Sequence, residues 1–443
     1  MKTHPGAESS NTHEALTTRR GFLKGAAATA GLLTLGELGR VGTALSQTAL
    51  PSPDASGIEH IIVLMMENRS FDHYLGWLPN ADGQQKGLRY VDEAGVAHKT
   101  YRLAPEYQGC GHPDPDHSYE GGRVEYNGGA CDGWLRAGDN DRFAIGYYTQ
   151  KDLDFFGEAA ERWTVADRYF SAIMAPTYPN RIYQHAAQTD RITNTLELST
   201  LPTIWDRLPA AGLEGRYYYS DVPFLALWGA KYLPIASTFS DFLADAAAGT
   251  LPHVSFVEPR FLGAEFGLSG DDHPYADIRN GQAFLNRVYR AVTTSPAWPR
   301  TLLVFNYDEW GGFFDHVAPP TAPIPDADAA AGNGDGLLGF RVPCMVVSPF
   351  ARREHVSSLV LDHTSILRMI EWRWGLEPLT VRDKTANNLA EVLDFGAPSL
   401  KAKQFRVPTG PFGRPCTVAG TRAAMTDEWE LLRAKAAAYG WPV

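Results

Sequence analysis

Three short, nearly unbroken apolar runs constrain the fold of this chain more than any other feature. They are Ile58 to Met66 (IEHIIVLMM), Thr301 to Tyr307 (TLLVFNY) and Val342 to Ser348 (VPCMVVS). A strand with one face in water alternates apolar and polar residues, whereas a strand covered on both faces need not. Between and after these runs lie stretches of helical period: Leu153 to Trp163, Ile204 to Leu213, Gly281 to Val292 and His363 to Trp374. Asp362 stands where the last of these needs an N-cap. Buried strands alternating with amphipathic helices predict an α/β fold with a largely parallel central sheet flanked by helices. In such sheets ligand sites form beyond the carboxyl ends of the strands. Residues 80–150 and 215–275 are rich in Gly, Pro, Asp and Tyr without clean periodicity. They are expected to be long excursions that wall a site. Residues 319–339 read as an exposed, mobile loop.

The first 46 residues have a different character. Thr18-Arg19-Arg20-Gly21-Phe22-Leu23-Lys24 precedes a mild apolar stretch from Gly25 to Gly36, and Ala44-Leu45-Ser46 offers small residues for cleavage. About a dozen weakly apolar residues are too few to span a bilayer. The paired arginine before such a stretch resembles a twin-arginine signal peptide. Residues 1–46 are therefore expected to be a signal, residues 47–443 a single domain, and the destination periplasmic or secreted. No later run approaches about 18 apolar residues, so no transmembrane anchor is expected in the mature chain.

The net charge of the 443-residue chain is −11, and the segment 1–46 carries five basic and three acidic groups, so its removal leaves −13. A nucleic-acid partner needs a basic footprint and is not expected. An acidic chain can still bind phosphate locally where a metal ion overrides the surrounding charge. Four cysteines are too few and too scattered for a disulfide scaffold or a thiolate zinc cluster. In an oxidising compartment they can pair; Cys110 with Cys131 is the expected pair, Cys344 lies in a buried run and Cys416 in the C-terminal tail. The oligomeric state leaves no mark in the sequence.

The first apolar run ends in Glu67-Asn68-Arg69-Ser70-Phe71-Asp72-His73 and the second in Asp308-Glu309-Trp310-Gly311-Gly312-Phe313-Phe314-Asp315-His316. Carboxylates massed at one sheet edge repel one another, and a cation is the natural compensation. Glu67, Asn68, Asp308 and Glu309 are all oxygen donors. They favour one hard divalent ion, Ca²⁺, Mg²⁺ or Mn²⁺. Ala175-Pro176-Thr177-Tyr178-Pro179-Asn180-Arg181 opens a helical stretch, with Pro179 suited to its first turn. By spacing alone Thr177 reads as a helix cap. Beside a metal its hydroxyl could instead attack phosphorus. His117, His273, His316 and His363 each follow an aspartate directly, an arrangement that can orient an imidazole. His60 reads as a core residue, and His185, on the helix that Thr177 opens, reads equally as structural or as part of the site.

The four motifs, ending in Glu67–His73, Pro176–Arg181, Asp272-His273-Pro274 and Asp308–Val317, stand in an order similar to that of one phosphoesterase family. That family contains bacterial phosphatidylcholine-hydrolysing phospholipases C, plant non-specific phospholipases C and a group of acid phosphatases. The resemblance runs from about Ile58 to Leu376. It implies an alkaline-phosphatase-like fold. It also implies that Glu67, Asn68, Asp308 and Glu309 bind the metal, and that Thr177 is nucleophile and further ligand. His117 and His273 would hold or protonate phosphate oxygens. His316, His363, Asn180 and Trp310 would be substrate-pocket or supporting residues.

Threonine at the nucleophile position is similar to the phospholipases C rather than to the phosphatases. This points to glycerophospholipid cleavage into diacylglycerol and a phosphorylated head group. Trp310, Phe313, Phe314, Tyr217–Tyr219 and Val222–Trp228 are the expected material for an apolar mouth and a choline cage. Two departures pull the other way. Plant members often have His where Trp310 stands, and no counterpart is expected here to the long C-terminal extension of some bacterial phospholipases C. These leave small soluble esters, and only transient contact with a membrane surface, open. An acid phosphatase is the first alternative, and a non-catalytic metal- or phospholipid-binding protein the second. A sulfatase lacks support, since no Cys stands at the nucleophile position.

Overall fold

The computed structural model describes residues 49–416 and 428–443. The expected signal segment lies outside the described residues. An eight-stranded sheet carries the architecture. In chain order its strands are β1 (His60–Met66), β2 (Thr164–Ala166), β3 (Gly215–Tyr219), β4 (Ala236–Thr238), β5 (Val254–Val257), β6 (Thr301–Tyr307), β7 (Met345–Val347) and β8 (His355–Ser357). Their order across the sheet is β8-β2-β7-β6-β1-β5-β3-β4. All pairings are parallel except those of β7, which runs antiparallel to β6 and to β2.

The expected α/β class and largely parallel sheet are thus present, with one refinement. The run at Val342–Ser348 is a buried strand, but it runs against its neighbours. Burial on both faces produces the same unbroken apolar run in either direction, so periodicity cannot report polarity. β1 and β6 lie side by side in the middle of the sheet. Every residue of β6, and every residue of β1 after His60, is buried. Their parallel register pairs Met66 with Tyr307. Glu67 and Asp308, the next residue of each chain segment, therefore leave the sheet at the same level.

The helices expected from periodicity are found at Ile204–Ala210, Ile278–Thr293 and His363–Trp374, and a short one at Phe156–Ala159. Asp362 caps His363–Trp374 by accepting from the Thr364 amide at 2.7 Å. Among the described residues no helix is long and apolar enough to cross a membrane.

Several expectations need correction. Residues 215–275 are not merely an excursion: β3, β4 and β5 all come from this stretch. Strands of three to five residues are too short to show a period. Residues 80–150 do form an excursion, with two small two-stranded pairings and the helix Tyr119–Tyr126. The segment 319–339 is anchored rather than free. Its helix Asp326–Ala331 carries Asp328, which is fully buried and accepts from the Tyr183 hydroxyl and from the Thr189 amide at 2.9 Å.

The aromatic residues expected at a lipid-facing mouth are core instead. Trp310, Phe313, Phe314, Tyr217, Tyr218 and Phe224 have no exposed surface. Trp310 packs in a small cluster with Trp134, Met174 and Phe340. Its indole N–H donates to Glu125 at 2.7 Å.

The disulfide joins Cys110 to Cys416, with Cα atoms 5.2 Å apart. Cys131 and Cys344 are free and buried. The expected Cys110–Cys131 pair is replaced because proximity in sequence said nothing about where the C-terminal tail lies. The bond closes a separation of 306 residues, so its loss frees much chain entropy in the unfolded state. We expect Cys416→Ser to lower stability by roughly 2–5 kcal/mol, read by thermal unfolding. A melting curve like that of the parent chain would contradict this.

Candidate active site

The site begins where β1 and β6 end. The Asp308 amide donates to Met66 O at 3.1 Å, and the Asn68 amide donates to Asp308 Oδ1 at 3.1 Å. Asn68 takes a left-handed conformation, with φ 58°, a region in which Asn is tolerated better than most residues. This turn brings Gly311 so close that a Cβ there would lie 2.4 Å from Asn68 O. Glycine is therefore obligatory after the Asp308-Glu309-Trp310 triplet.

Thr177 is the first residue of the helix Thr177–Ala186, and Pro176 is its N-cap, with no side-chain cap. The spacing-based reading of Thr177 as a cap is therefore not realised. Its hydroxyl faces Glu67 Oε1 at 3.3 Å and Asn68 Oδ1 at 3.4 Å. Asn180 shapes this entrance: its amide donates to Ile173 O at 3.1 Å and to Ala175 O at 2.7 Å, and its carbonyl accepts from the Ile173 amide. It positions the loop before Thr177 rather than facing the cleft.

Glu67, Asp308 and Glu309 are buried together. Burial, and then the charge of Asp308, push the Glu67 carboxyl well above its usual range. Burial likewise raises Glu309, His117 offsetting it and Asp308 adding to it. Asp308 is raised by burial despite the Arg181 guanidinium and two backbone amides. Asp271, next to this group, is pushed well up by burial and by Glu67. Arg181 is the internal countercharge. Fully buried, it donates to Asp308 Oδ2 at 3.0 Å, Glu258 Oε2 at 2.6 Å and Met66 O at 3.2 Å.

One guanidinium does not satisfy the cluster. Glu67 Oε2 and Glu309 Oε1 are buried with no hydrogen-bond partner. Orphaned carboxylate oxygens with raised pKa values are what a set of cation ligands presents without its cation. The oxygen-only donor set of Glu67, Asn68, Thr177, Asp308 and Glu309 fits a hard divalent ion.

Two histidines face this cluster. His117 Nδ1 donates to Pro115 O at 2.7 Å, which turns Nε2 towards Asn68 Nδ2 at 3.3 Å, with Glu309 Oε1 3.9 Å away. His273 Nδ1 donates to Pro274 O at 2.9 Å, and its Nε2 lies 3.5 Å from Asp114 Oδ2. Burial by itself would lower both imidazoles. Glu309 and Asp114 hold His117 above its ordinary value, and Asp114 and Asp271 do so for His273. Ligand atoms of Asp114, His117 and His273 lie within 4.8 Å of one another. Asp114 and His117 border a cleft of about 770 Å³ lined also by Pro176, Asn194 and Glu428. Thr177 is 2% exposed and directly follows Pro176.

The remaining sequence candidates lie elsewhere. His363 is buried, and its Nε2 donates to Asp308 O at 2.7 Å while Nδ1 accepts from the Tyr169 hydroxyl at 3.0 Å. Burial lowers its pKa to about 4, so it stays neutral and supports the Asp308 backbone. His316 engages Asp72 Oδ2 at 2.5 Å and Asp82 Oδ1 at 3.2 Å, which occupies both ring nitrogens. Trp310 is core.

The C-terminal helix Glu428–Ala438 adds residues that no motif announced. The Trp429 indole N–H donates to Glu67 Oε1 at 3.3 Å across 362 positions of sequence. Its ring stacks on Phe261 at 3.8 Å. Asn194 holds Glu428 Oε2 at 2.5 Å. Asp114, Asp271, Arg181 and Glu258 were likewise not singled out for the site. Arg181 and Asp271 border the motifs that carry Thr177 and His273, a signal of position only.

With this geometry in view, the comparisons with known proteins place the chain. The model of the Phosphoesterase family matches residues 58–377. The chain belongs to that family and is a phosphoric ester hydrolase. It is 33% identical to phospholipase C A of Mycobacterium tuberculosis over 77% of this chain and 78% of the relative. It is 33% identical to phospholipase C B of the same species over 88% of each. Non-specific phospholipase C6 of Arabidopsis thaliana is 31% identical over 76% of this chain and 72% of its own. The α/β class and largely parallel central sheet that the resemblance implied are present in the described residues.

Two outcomes follow from the geometry. Arg181→Met leaves Asp308 and Glu258 buried without their countercharge and is expected to cost about 3–5 kcal/mol. Denaturant unfolding reads it, and a loss under about 1 kcal/mol would mean that the pairing is not what holds these carboxylates. Trp429→Phe keeps the stack on Phe261 but removes a hydrogen bond to a carboxylate, which is worth roughly 1.5–3 kcal/mol. Turnover should fall at least about tenfold with KM little changed; a rise in KM alone would place Trp429 in substrate binding instead.

Proposed function

We propose that this chain is an exported, metal-dependent phosphodiesterase of the phospholipase C type, working through a phosphothreonine intermediate. Residues 1–46 serve as a twin-arginine signal in this reading, and residues 47–443 as one phosphoesterase domain. The observation that carries it is the Thr177 hydroxyl. It sits at a helix start without capping that helix, and faces the carboxylate and amide oxygens of Glu67 and Asn68.

Glu67, Asn68, Thr177, Asp308 and Glu309 would hold one divalent ion. Bound there, it supplies positive charge that favours the Thr177 alkoxide and the charge gathering on the phosphate oxygens. With its hydroxyl proton released to bulk water, Thr177 Oγ1 would attack phosphorus, an Oγ1–P bond forming as the bond from phosphorus to the glycerol oxygen breaks. The leaving alkoxide takes a proton from His117 or His273, whose Nε2 atoms are turned inward by backbone acceptors on Nδ1. The same imidazole then accepts a proton from water, which attacks the phosphothreonine, releases the phosphorylated head group and restores Thr177. The helix N-terminus at Thr177 adds backbone N–H dipoles for the bound phosphate.

Acid phosphatase activity on the same residues is the second reading, and a specific observation favours it. The cleft is walled by Asp114, Asp116, His117, Asn194 and Glu428, while the aromatic residues expected to greet acyl chains are buried elsewhere.

A substrate panel separates the readings. Phosphatidylcholine, p-nitrophenylphosphorylcholine and p-nitrophenyl phosphate are each assayed with and without chelator. We expect turnover of the first two, its loss with chelator, and its return on adding back Ca²⁺, Mg²⁺ or Mn²⁺. Thr177→Ala should abolish turnover in a folded protein, at least about 10³-fold. Hydrolysis of the monoester alone would assign a phosphatase, and full activity of Thr177→Ala would remove the nucleophile.

A further inference from the structure

A second cleft, of about 830 Å³, opens between the helix Ile278–Thr293, the start of the helix Phe239–Ala248 and the segment 407–411. It shares no lining residue with the catalytic cleft. Its charge is opposite to that of the chain. Arg260, Arg287 and Arg290 line it, and among the described side chains no Asp or Glu does, in a protein whose net charge is −11. All three arginines are exposed. Among the described residues Arg287 and Arg290 have no carboxylate partner. Arg287 lies over the Phe239 ring at 4.9 Å. Arg260 lies 3.8 Å from Asp221.

A further observation points to a ligand. Phe239, Phe284, Val407 and Pro411 give the cleft an apolar floor. Beside it, the turn at 263–268 holds two large apolar side chains in water, Phe266 at 48% and Leu268 at 38% exposure. The turn is fixed: Gly270 N donates to Arg260 O at 2.8 Å, and Asn280 Nδ2 donates to Gly267 O at 2.6 Å. Three guanidiniums and a rim of exposed aromatic and aliphatic side chains match a phosphate group with hydrocarbon beside it.

We propose that this cleft is a non-catalytic docking site for the phosphate of an anionic phospholipid in a membrane surface, with Phe266 and Leu268 entering the interface. For its purpose this rests on the lipid-directed reading above. The argument for a membrane is one of charge. The catalytic cleft is walled by Asp114, Asp116, Asp139 and Glu428, so an anionic surface repels it. Attachment to such a surface then falls to another face, and this cleft offers three arginines for it. The loop from Leu268 runs on to Asp271 and His273, so the docking face and the catalytic residues share one short segment of backbone.

The test uses the full chain carrying Thr177→Ala, so that vesicles stay intact. Binding is measured by co-sedimentation with vesicles of phosphatidylcholine alone and of phosphatidylcholine mixed with phosphatidylglycerol. Binding to the mixed vesicles should be strong and salt-sensitive. It should fall roughly a hundredfold in Arg260→Ala/Arg287→Ala/Arg290→Ala, the sum of three basic groups at an anionic surface. The triple lysine variant should largely keep it, and Phe266→Ser should weaken it. In chains with Thr177 intact, hydrolysis of p-nitrophenylphosphorylcholine should not change with the arginine substitutions.

Equal vesicle binding by the triple alanine variant overturns the proposal. So does calorimetric binding of glycerol 1-phosphate without any vesicle binding, which would assign the cleft to a soluble ligand. Vesicle binding by a chain that hydrolyses no phospholipid would leave this proposal standing and remove the phospholipase reading.

Discussion

The parallel pairing of β1 with β6 is the constraint on which the rest of the site depends. With Met66 opposite Tyr307, the two strands end level and release Glu67-Asn68 and Asp308-Glu309 into the same space. A parallel pair slipped by two residues would keep every apolar side chain on its face, yet separate the carboxylates by about 7 Å along the sheet. Register, not burial alone, makes the cluster. The buried Arg181 then offsets part of the charge, and the two orphaned oxygens on Glu67 and Glu309 mark what is left for a cation.

The two strand-end motifs divide their labour along their length. Their first residues stand in the site, and their last residues form a clamp. Arg341 donates to Asp315 Oδ1 at 2.9 Å, to Asp315 Oδ2 at 3.1 Å and to Asp72 Oδ1 at 3.2 Å, while His316 closes on Asp72 Oδ2. Asp72, Asp315 and His316 are also grouped closely enough to suggest a metal site. The contrast with Glu67 and Glu309 argues otherwise. Each carboxylate oxygen of Asp72 and Asp315 accepts a hydrogen bond, and a guanidinium already fills the place a cation would take. Arg341 thus ties the end of one motif to the end of the other, and by doing so holds the two strand-end turns at a fixed spacing.

The C-terminal region completes the site from a distance. Cys416 is tied to Cys110, a residue of the candidate cleft, and the helix Glu428–Ala438 places Trp429 on Glu67 and Phe261. The polar character of that cleft, with the aromatic supply spent on the core, moves the question of lipid contact to the protein surface. There the charge is unevenly spread, acidic around the catalytic cleft and basic around the helix Ile278–Thr293.

Much of this was legible in the chain itself. Unbroken apolar runs announced β1 and β6, and the polar motifs directly after them announced where chemistry would sit, because strand ends are where side chains leave a sheet together. Thr177 was legible as a residue but ambiguous as a role: spacing favoured a cap, and only its position against Glu67 and Asn68 shows the hydroxyl turned to the carboxylates. The short strands β3 to β5 were hidden, since three to five residues carry no period. So was the direction of β7, since burial leaves the same trace in both polarities. His316 and Trp310 looked like site residues because they neighbour site residues, yet their side chains point to the Asp72 clamp and to the Trp134–Phe340 core. What the sequence determined by itself was local: which segments must be buried, which oxygen donors stand at their ends, and which family they belong to. What only the tertiary structure decided was every pairing across distance, from Cys110 with Cys416 to Trp429 with Glu67 and Arg181 with Glu258. Such contacts depend on how loops close in space, and nothing in the spacing of residues along a chain encodes that closure.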